Sequence, residues 1–238
     1  MKIAMWSGPR NLSTAMMYSF GARSDCAVVD EPFYAAYLER TGIQHPMREE
    51  VLASQTSDVD EVVASILGPN PAQKSHFYQK HMTQHMVDGI PRDWMTEVTN
   101  VFLIRHPARV VASFAKKYPD VVEADIGFIQ QVELFQHVCA LGQQPFVIDS
   151  ADIRENPALR LRQLCEAAGI DWDPAMLSWP SGGHEADGVW AAHWYDAVHS
   201  STGFADAEGP LPRLSGRLGE LVESVLPAYN QMAALKIT

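Results

Sequence analysis

Two arginines in this sequence close short apolar runs, and each is followed by hydroxyl residues at a spacing that suits an anion. The first lies in "MWSGPRNLSTAMM", residues 5–17, where the apolar run stops at Gly8-Pro9-Arg10 and Asn11 opens a helix-forming stretch of small and apolar residues. Backbone N–H groups at a helix N-terminus are unpaired and point outward, so a loop of this layout binds anions readily. Gly8 allows the turn, Pro9 fixes it, and Ser13 and Thr14 place hydroxyls in the first helical turn. Arg10 adds a permanent charge whose planar fork fits phosphate or sulfonate oxygens. A Walker A loop counted from Gly8 needs glycine at 13 and lysine at 14; the chain has Ser13 and Thr14, and no G-x-G-x-x-G fingerprint. Alone, the stretch reads as an anion site or as a plain β–α turn.

The second arginine is in "NVFLIRHPARVVASF", residues 100–114. Arg105 ends an apolar run, Pro107 sits where a helix begins, and Ser113 follows eight residues after Arg105. An arginine at a strand's C-terminal end and a serine on the next helix can grip one phosphate, in the crevice where parallel sheets bind ligands. A surface arginine and a helix-facing serine are the plainer alternative.

These residues need a scaffold, and the rest of the sequence supplies one. Short β-rich runs occur at Ile3 to Trp6, Ala27 to Val29, Val101 to Ile104 and Phe146 to Ile148, with a weaker Phe77-Tyr78 before Lys80-His81. Between them, apolar residues recur every three or four positions, as in Ile126, Ile129, Val132, Phe135 and Val138. Asn156-Pro157 caps and starts a further helix that Gly169 stops. The alternation predicts an α/β fold: one domain over residues 1–238, with a mainly parallel sheet of about five strands flanked by helices. Residues 40–75 are polar, with a loop at Gly68-Pro69-Asn70-Pro71, and are expected to be a lid or substrate-side insertion. Residues 170–212 carry Trp172, Trp179, Trp190 and Trp194 without a clear period; core or cover is the expectation there.

Composition narrows the partners. A chain of 238 residues can bury a sizeable core. A formal net charge of −11 argues against nucleic acid and anionic membrane as partners, though not against a small polyanion held by a few arginines. Cys26, Cys139 and Cys165 read as buried free thiols of a reducing compartment. With no long apolar run or signal-like start, a cytoplasmic protein is expected.

Taken together, the two blocks resemble the PAPS-dependent sulfotransferase family, whose fold is P-loop NTPase-like. That family holds the 5′-phosphosulfate of PAPS (3′-phosphoadenosine 5′-phosphosulfate) with a loop of type P-[KR]-S-G-[ST]-T. Pro9, Arg10, Asn11, Leu12, Ser13 and Thr14 match it, except that Leu12 takes the glycine position. Arg105, Pro107 and Ser113 match the family's 3′-phosphate motif. "FVIDSADIRENPALRLRQLCEAAGI" is similar to a third block, in which Asp152 matches an aspartate and Ala151 replaces a glutamate; "LPAYNQM" looks like the last helix. Ala15 stands where many members carry an adenine-stacking tryptophan, which leaves adenine recognition unassigned.

The resemblance implies PAPS as donor, no essential metal, and a small-molecule acceptor offering a hydroxyl or amine. Sulfuryl transfer then needs cations near the bridging oxygen and a base for the acceptor. Arg10 is the first cation and Lys80 the second. Two bases compete: Glu31 in "VVDEPF", where several branches carry a catalytic glutamate, and His81 in "YQKHM", near the family's K-T-H histidine. Of the two, Glu31 is preferred. "HEADGVWAAHWYD", residues 184–196, reads either as acceptor-pocket lining or as core. Two other functions stay open: a P-loop kinase-like phosphotransferase, and a non-catalytic nucleotide- or ligand-binding relative. The acceptor and the oligomeric state are not encoded in any of these motifs.

Overall fold

A computed structural model of the chain describes residues 1–70 and 72–238. Of the expected loop at 68–71, Pro71 lies outside the described residues. Five strands form one parallel sheet in the order β2-β3-β1-β4-β5, with β1 Lys2–Ser7, β2 Cys26–Asp30, β3 His76–Met82, β4 Thr99–Ile104 and β5 Phe146–Asp149. The weak run at Phe77-Tyr78 is thus the start of a full strand that includes Lys80 and His81. Its polar Gln79, Lys80 and His81 hide it from a hydropathy reading, although all three are buried.

Strand alternation divides the core in two. Ile3 and Met5 of β1 and Val101 and Leu103 of β4 face a cluster built with α1 (Ser13–Gly21) and α9 (Pro157–Ala168). Ala4, Trp6, Phe102 and Ile104 face the other side, where α4 (Val59–Leu67), α7 (Phe128–Ala140) and α12 (Gly216–Ala233) pack. The remaining helices are α2 Tyr34–Thr41, α3 Arg48–Ser54, α5 Pro107–Phe114, α6 Glu123–Ile126, α8 Ser150–Glu155, α10 Ala191–Trp194 and α11 Asp196–His199. The expected punctuation of α9 is present: Asn156 caps it by accepting from Leu159 N–H at 3.1 Å, and Gly169 ends it at φ 73°. The helical period read from Ile126 divides at Gly127, so Ile126 belongs to α6 and the rest to α7.

The expected insertion falls into two parts with different surroundings. Residues 43–46 reach the central cavity, but α4 buries Val62 and Ile66 against the sheet and takes a hydrogen bond from Gln79 through the Ile66 carbonyl. Cys26 and Cys165 are buried free thiols as expected, whereas Cys139 is exposed on the outer face of α7. The apolar spacing that marks α7 runs through Leu134 and Val138, which leaves Cys139 on the solvent side.

Candidate active site

The order β2-β3-β1-β4-β5 reverses direction between β1 and β4, so the loops leaving these strands part and open a crevice at their C-terminal ends. Both sequence blocks enter there. A cavity of about 460 Å³ occupies the crevice, lined among others by Arg10, Ser13, Glu31, Lys80, Arg105 and Ser113.

At one end lies the loop between β1 and α1. Gly8 is required by close approach: a Cβ there would sit 2.3 Å from the Ile126 carbonyl oxygen. Arg10 (φ 59°) and Leu12 (φ 70°) adopt left-handed backbone, which costs an L-residue about 1–2 kcal/mol each. Leu12 thus carries the conformation that glycine would take without strain; its half-buried side chain packs on the α1-side core and also borders the cavity. Leu12 is also the N-cap of α1 and caps it with no side-chain bond, so the first amides of that helix are free for an anion. Asn11 plays a different part: its buried side chain donates to the Leu103 carbonyl at 2.6 Å and ties the loop to β4.

The loop and the second block meet directly. Arg10 Nε donates to Ser113 Oγ at 3.0 Å, and Arg105 Nη1 donates to the Arg10 carbonyl at 2.6 Å. Burial and the neighbouring Arg105 charge hold the Arg10 guanidinium below its ordinary pKa. Among the described residues Arg10 forms no salt bridge, whereas Arg105 pairs with Glu208. A half-buried arginine beside a second arginine, without a carboxylate of its own, is poised for an anionic ligand.

At the other end is a buried polar cluster. Lys80 Nζ contacts Asp30 Oδ1 at 2.8 Å, donates to Glu31 Oε1, and reaches the Tyr195 hydroxyl at 2.7 Å. Tyr195 in turn donates to Asp30 Oδ2 at 2.8 Å and accepts from Trp190 Nε1 at 3.0 Å. Burial disfavours the Lys80 ammonium, but the two carboxylates outweigh it and hold its pKa above the ordinary value. Burial pushes Asp30 up to about 6, opposed by Lys80 and assisted by Glu31. Glu31 itself has positive φ, 43°, at the β2–α2 turn, and that turn aims its carboxylate into the cavity.

The two histidines part company. His81 alternates with Lys80 along β3 and so points through the opposite face of the sheet. It stacks on Trp6 at 4.5 Å, bonds Gln79 Oε1 at 3.1 Å, and does not line the cavity. Burial pushes its pKa down to about 3, helped by the charges of His85 and Lys80, so it is a neutral core residue. His85, from the 3-10 turn Thr83–His85, does line the cavity. Its ring lies between Tyr34 (4.7 Å) and Tyr37 (4.8 Å), with Nε2 3.8 Å from Glu31 Oε2. Burial holds His85 well below the usual histidine range, with His45 and Lys80 acting in the same sense.

Sequence reading passed over Asp30 and the wall residue Tyr34, and gave His85 and Tyr195 no part in this cluster. For Asp30 a signal existed, since two acids end β2 together in "VVDEPF". Tyr195 was marked only as part of the 184–196 segment; it meets Lys80 because residues 188–195 fold over the sheet, with Gly188 N–H bonded to Asp30 Oδ2 at 3.2 Å. The 184–196 segment serves both readings: Trp190 and Tyr195 are buried and, with Trp194, line the cavity. Asp152 lies apart, paired with Lys236 at 2.7 Å.

A five-stranded parallel α/β sheet flanked by helices thus brings an uncapped loop, an arginine–serine pair and a carboxylate to one crevice. The chain matches the sulfotransferase domain family over residues 1–236 and belongs to it. Its fold is similar to that of the sulfotransferase domain from the curacin biosynthetic pathway, with TM-score 0.55 and 16% identity over 94% of this chain and 96% of that one. The sulfotransferase domain of the Synechococcus PCC 7002 olefin synthase gives TM-score 0.54 and 14% identity, over 97% and 94%. Two Arabidopsis thaliana proteins, branched-chain-amino-acid aminotransferase-like proteins 2 and 1, are each 36% identical over 228 residues, or 96% of this chain. The chain spans only 40% and 41% of their lengths, so their name describes much longer proteins. Among the described residues no helix is long and apolar enough to cross a membrane.

Proposed function

We propose that this chain transfers a sulfuryl group from PAPS to a hydroxyl or amine of a small-molecule acceptor. One observation carries the reading: Arg10 and Ser113, which lie 103 positions apart in sequence, are bonded at 3.0 Å, with Arg105 tied to the same loop. Two anion-binding devices thus share one crevice with Glu31. In this reading the amides of Ser13 and Thr14 and the Arg10 guanidinium hold the 5′-phosphosulfate, and Arg105 with Ser113 holds the 3′-phosphate.

Glu31 is the proposed base. As an acceptor oxygen attacks sulfur, its proton passes to Glu31, the S–O bond to the 5′-phosphate breaks, and the electron pair stays on that phosphate oxygen beside Arg10. Lys80 supports this from behind: held by Asp30, Tyr195 and Glu31, it fixes the position of the Glu31 carboxylate. The aromatic wall of Tyr34, Tyr37, Tyr118 and Trp194 favours an acceptor with a substantial apolar body. His81 has no part in the transfer, because the sheet separates it from the cavity.

Calorimetry with 3′-phosphoadenosine 5′-phosphate (PAP) tests the donor reading. Binding in the micromolar range that is lost in the Arg105→Ala/Ser113→Ala variant is expected. Preference for ATP over PAP would favour a kinase-like phosphotransferase instead, and no binding of either at high micromolar concentration would leave a non-catalytic relative.

A further inference from the structure

Beside the arginine end of the cavity, and sharing only Arg105 with its lining, lies a second charged cluster that no motif announces. Glu208, whose side chain is 2% exposed, sits among three arginines from three different elements. Arg105 at the end of β4 contacts its Oε1, Arg154 Nη1 of α8 lies 2.9 Å from the same oxygen, and Arg109 Nε of α5 lies 2.7 Å from Oε2. The same arginines hold the backbone on either side. Arg109 Nη2 donates to the Gly209 carbonyl, and Arg154 Nε approaches the Ala205 carbonyl at 3.4 Å. Residues 203–209 thus form a strap fastened across the β4 and β5 ends by side chains, and Gly203, Phe204 and Ala205 line the cavity beneath it.

The charges do not balance. One carboxylate faces three guanidiniums, Glu208 Oε2 lacks a well-aligned hydrogen bond despite its close arginine, and Arg105 Nε is buried without a partner. Guanidinium forks match tetrahedral oxyanions, whose three free oxygens offer acceptors that a planar carboxylate lacks.

We propose that Arg105, Arg109 and Arg154 together form the subsite for a phosphate monoester, that Glu208 fills it from within the chain, and that the ligand's phosphate displaces the carboxylate and loosens the strap. This rests on the donor reading above, in which the phosphate is the nucleotide's 3′-phosphate. Glu208 then acts as a selector. A dianionic phosphate competes with it effectively, whereas a nucleotide lacking that phosphate has nothing to offer the three arginines. The strap, which roofs the cavity next to Phe204, changes position only when the correct donor is present.

The test compares PAP with adenosine 5′-monophosphate (AMP) by calorimetry on the wild-type chain and on Glu208→Gln. Loss of a charge-assisted competitor is expected to tighten PAP binding by about tenfold or more, while AMP affinity stays within about twofold. Hydrogen exchange on the wild-type chain is an independent readout: PAP is expected to raise exchange across residues 203–209, and Glu208→Gln to raise it without ligand. PAP affinity unchanged or weakened in Glu208→Gln, or a strap more protected when PAP binds, overturns the subsite proposal and leaves the donor reading standing. If the wild-type chain binds no PAP at all, the donor reading falls and this proposal falls with it.

Discussion

The two ends of the cavity are built by different means. At the phosphate end, the loop of residues 8–14 and the Arg105–Ser113 pair are backbone devices: a close approach at Gly8, left-handed residues at 10 and 12, an uncapped helix start and a strand-end arginine. Each is fixed by residues close in sequence, and the sheet order then brings the two together. At the other end, a backbone hydrogen bond of 2.9 Å joins Glu31 to Lys80 where β2 and β3 end, His85 follows on the next turn, and Tyr195 reaches them from a distant segment through its side chain. In the proposed reading, the first end holds the anionic donor and the second receives the acceptor.

Perturbations at the two ends should therefore separate binding from chemistry. Glu31→Gln is expected to lower the transfer rate by about 10²- to 10⁴-fold, the range for loss of a general base, with PAP affinity within about twofold. A parallel fall in PAP affinity, seen by calorimetry beside the rate assay, would erase the distinction. Lys80→Met leaves Asp30 and Glu31 buried without their cation, and should cost about 3–5 kcal/mol in urea unfolding at neutral pH. A loss under 1 kcal/mol would mean that the cluster is not held by this lysine.

His81→Phe probes the sheet as a partition. Transfer should stay within about threefold of wild type, as general-base loss is far larger. Its effect belongs to stability. The unfolded histidine titrates near 6.5 and His81 near 3, so between those pH values the unfolded chain holds more protons and stability falls as pH drops. The maximal slope is about 1.4 kcal/mol per pH unit, and His81→Phe should remove it from the acid limb. Asp30 works in the opposite sense, since its raised pKa favours the fold as pH falls from 6 toward 3.8, but it is common to both proteins and cancels in the difference. A variant as inactive as Glu31→Gln would restore His81 as a base. The smallest effect is expected from Leu12→Gly: relief of left-handed strain offsets lost packing to within about 1 kcal/mol, and PAP affinity changes less than about threefold. A larger loss of affinity would mean that the leucine side chain shapes the phosphate loop.

This division also explains what was legible in the sequence. The sheet, α1, α9 and the phosphate end follow from apolar runs, caps and short spacings, which act locally. Leu12 departs from the motif by residue type, which alone does not reveal that its backbone still adopts a glycine-like φ of 70°. His81 and Lys80 are adjacent, and a sequence motif cannot say which faces the ligand; strand alternation puts them on opposite sides and gives the cavity to Lys80. Tyr195, His85 and Glu208 could not be found by spacing, since irregular segments bring them to the site across 115, 54 and 103 positions from Lys80, Glu31 and Arg105.

The most direct test of the account is the worth of the 3′-phosphate, measured as the ratio of PAP to AMP affinity in the wild-type chain and in Arg105→Ala. If the crevice holds both nucleotide phosphates, PAP binds the wild-type chain at least about tenfold more tightly than AMP, and Arg105→Ala brings the ratio close to one. Equal affinities in the wild-type chain, or a ratio untouched by Arg105→Ala, would contradict it.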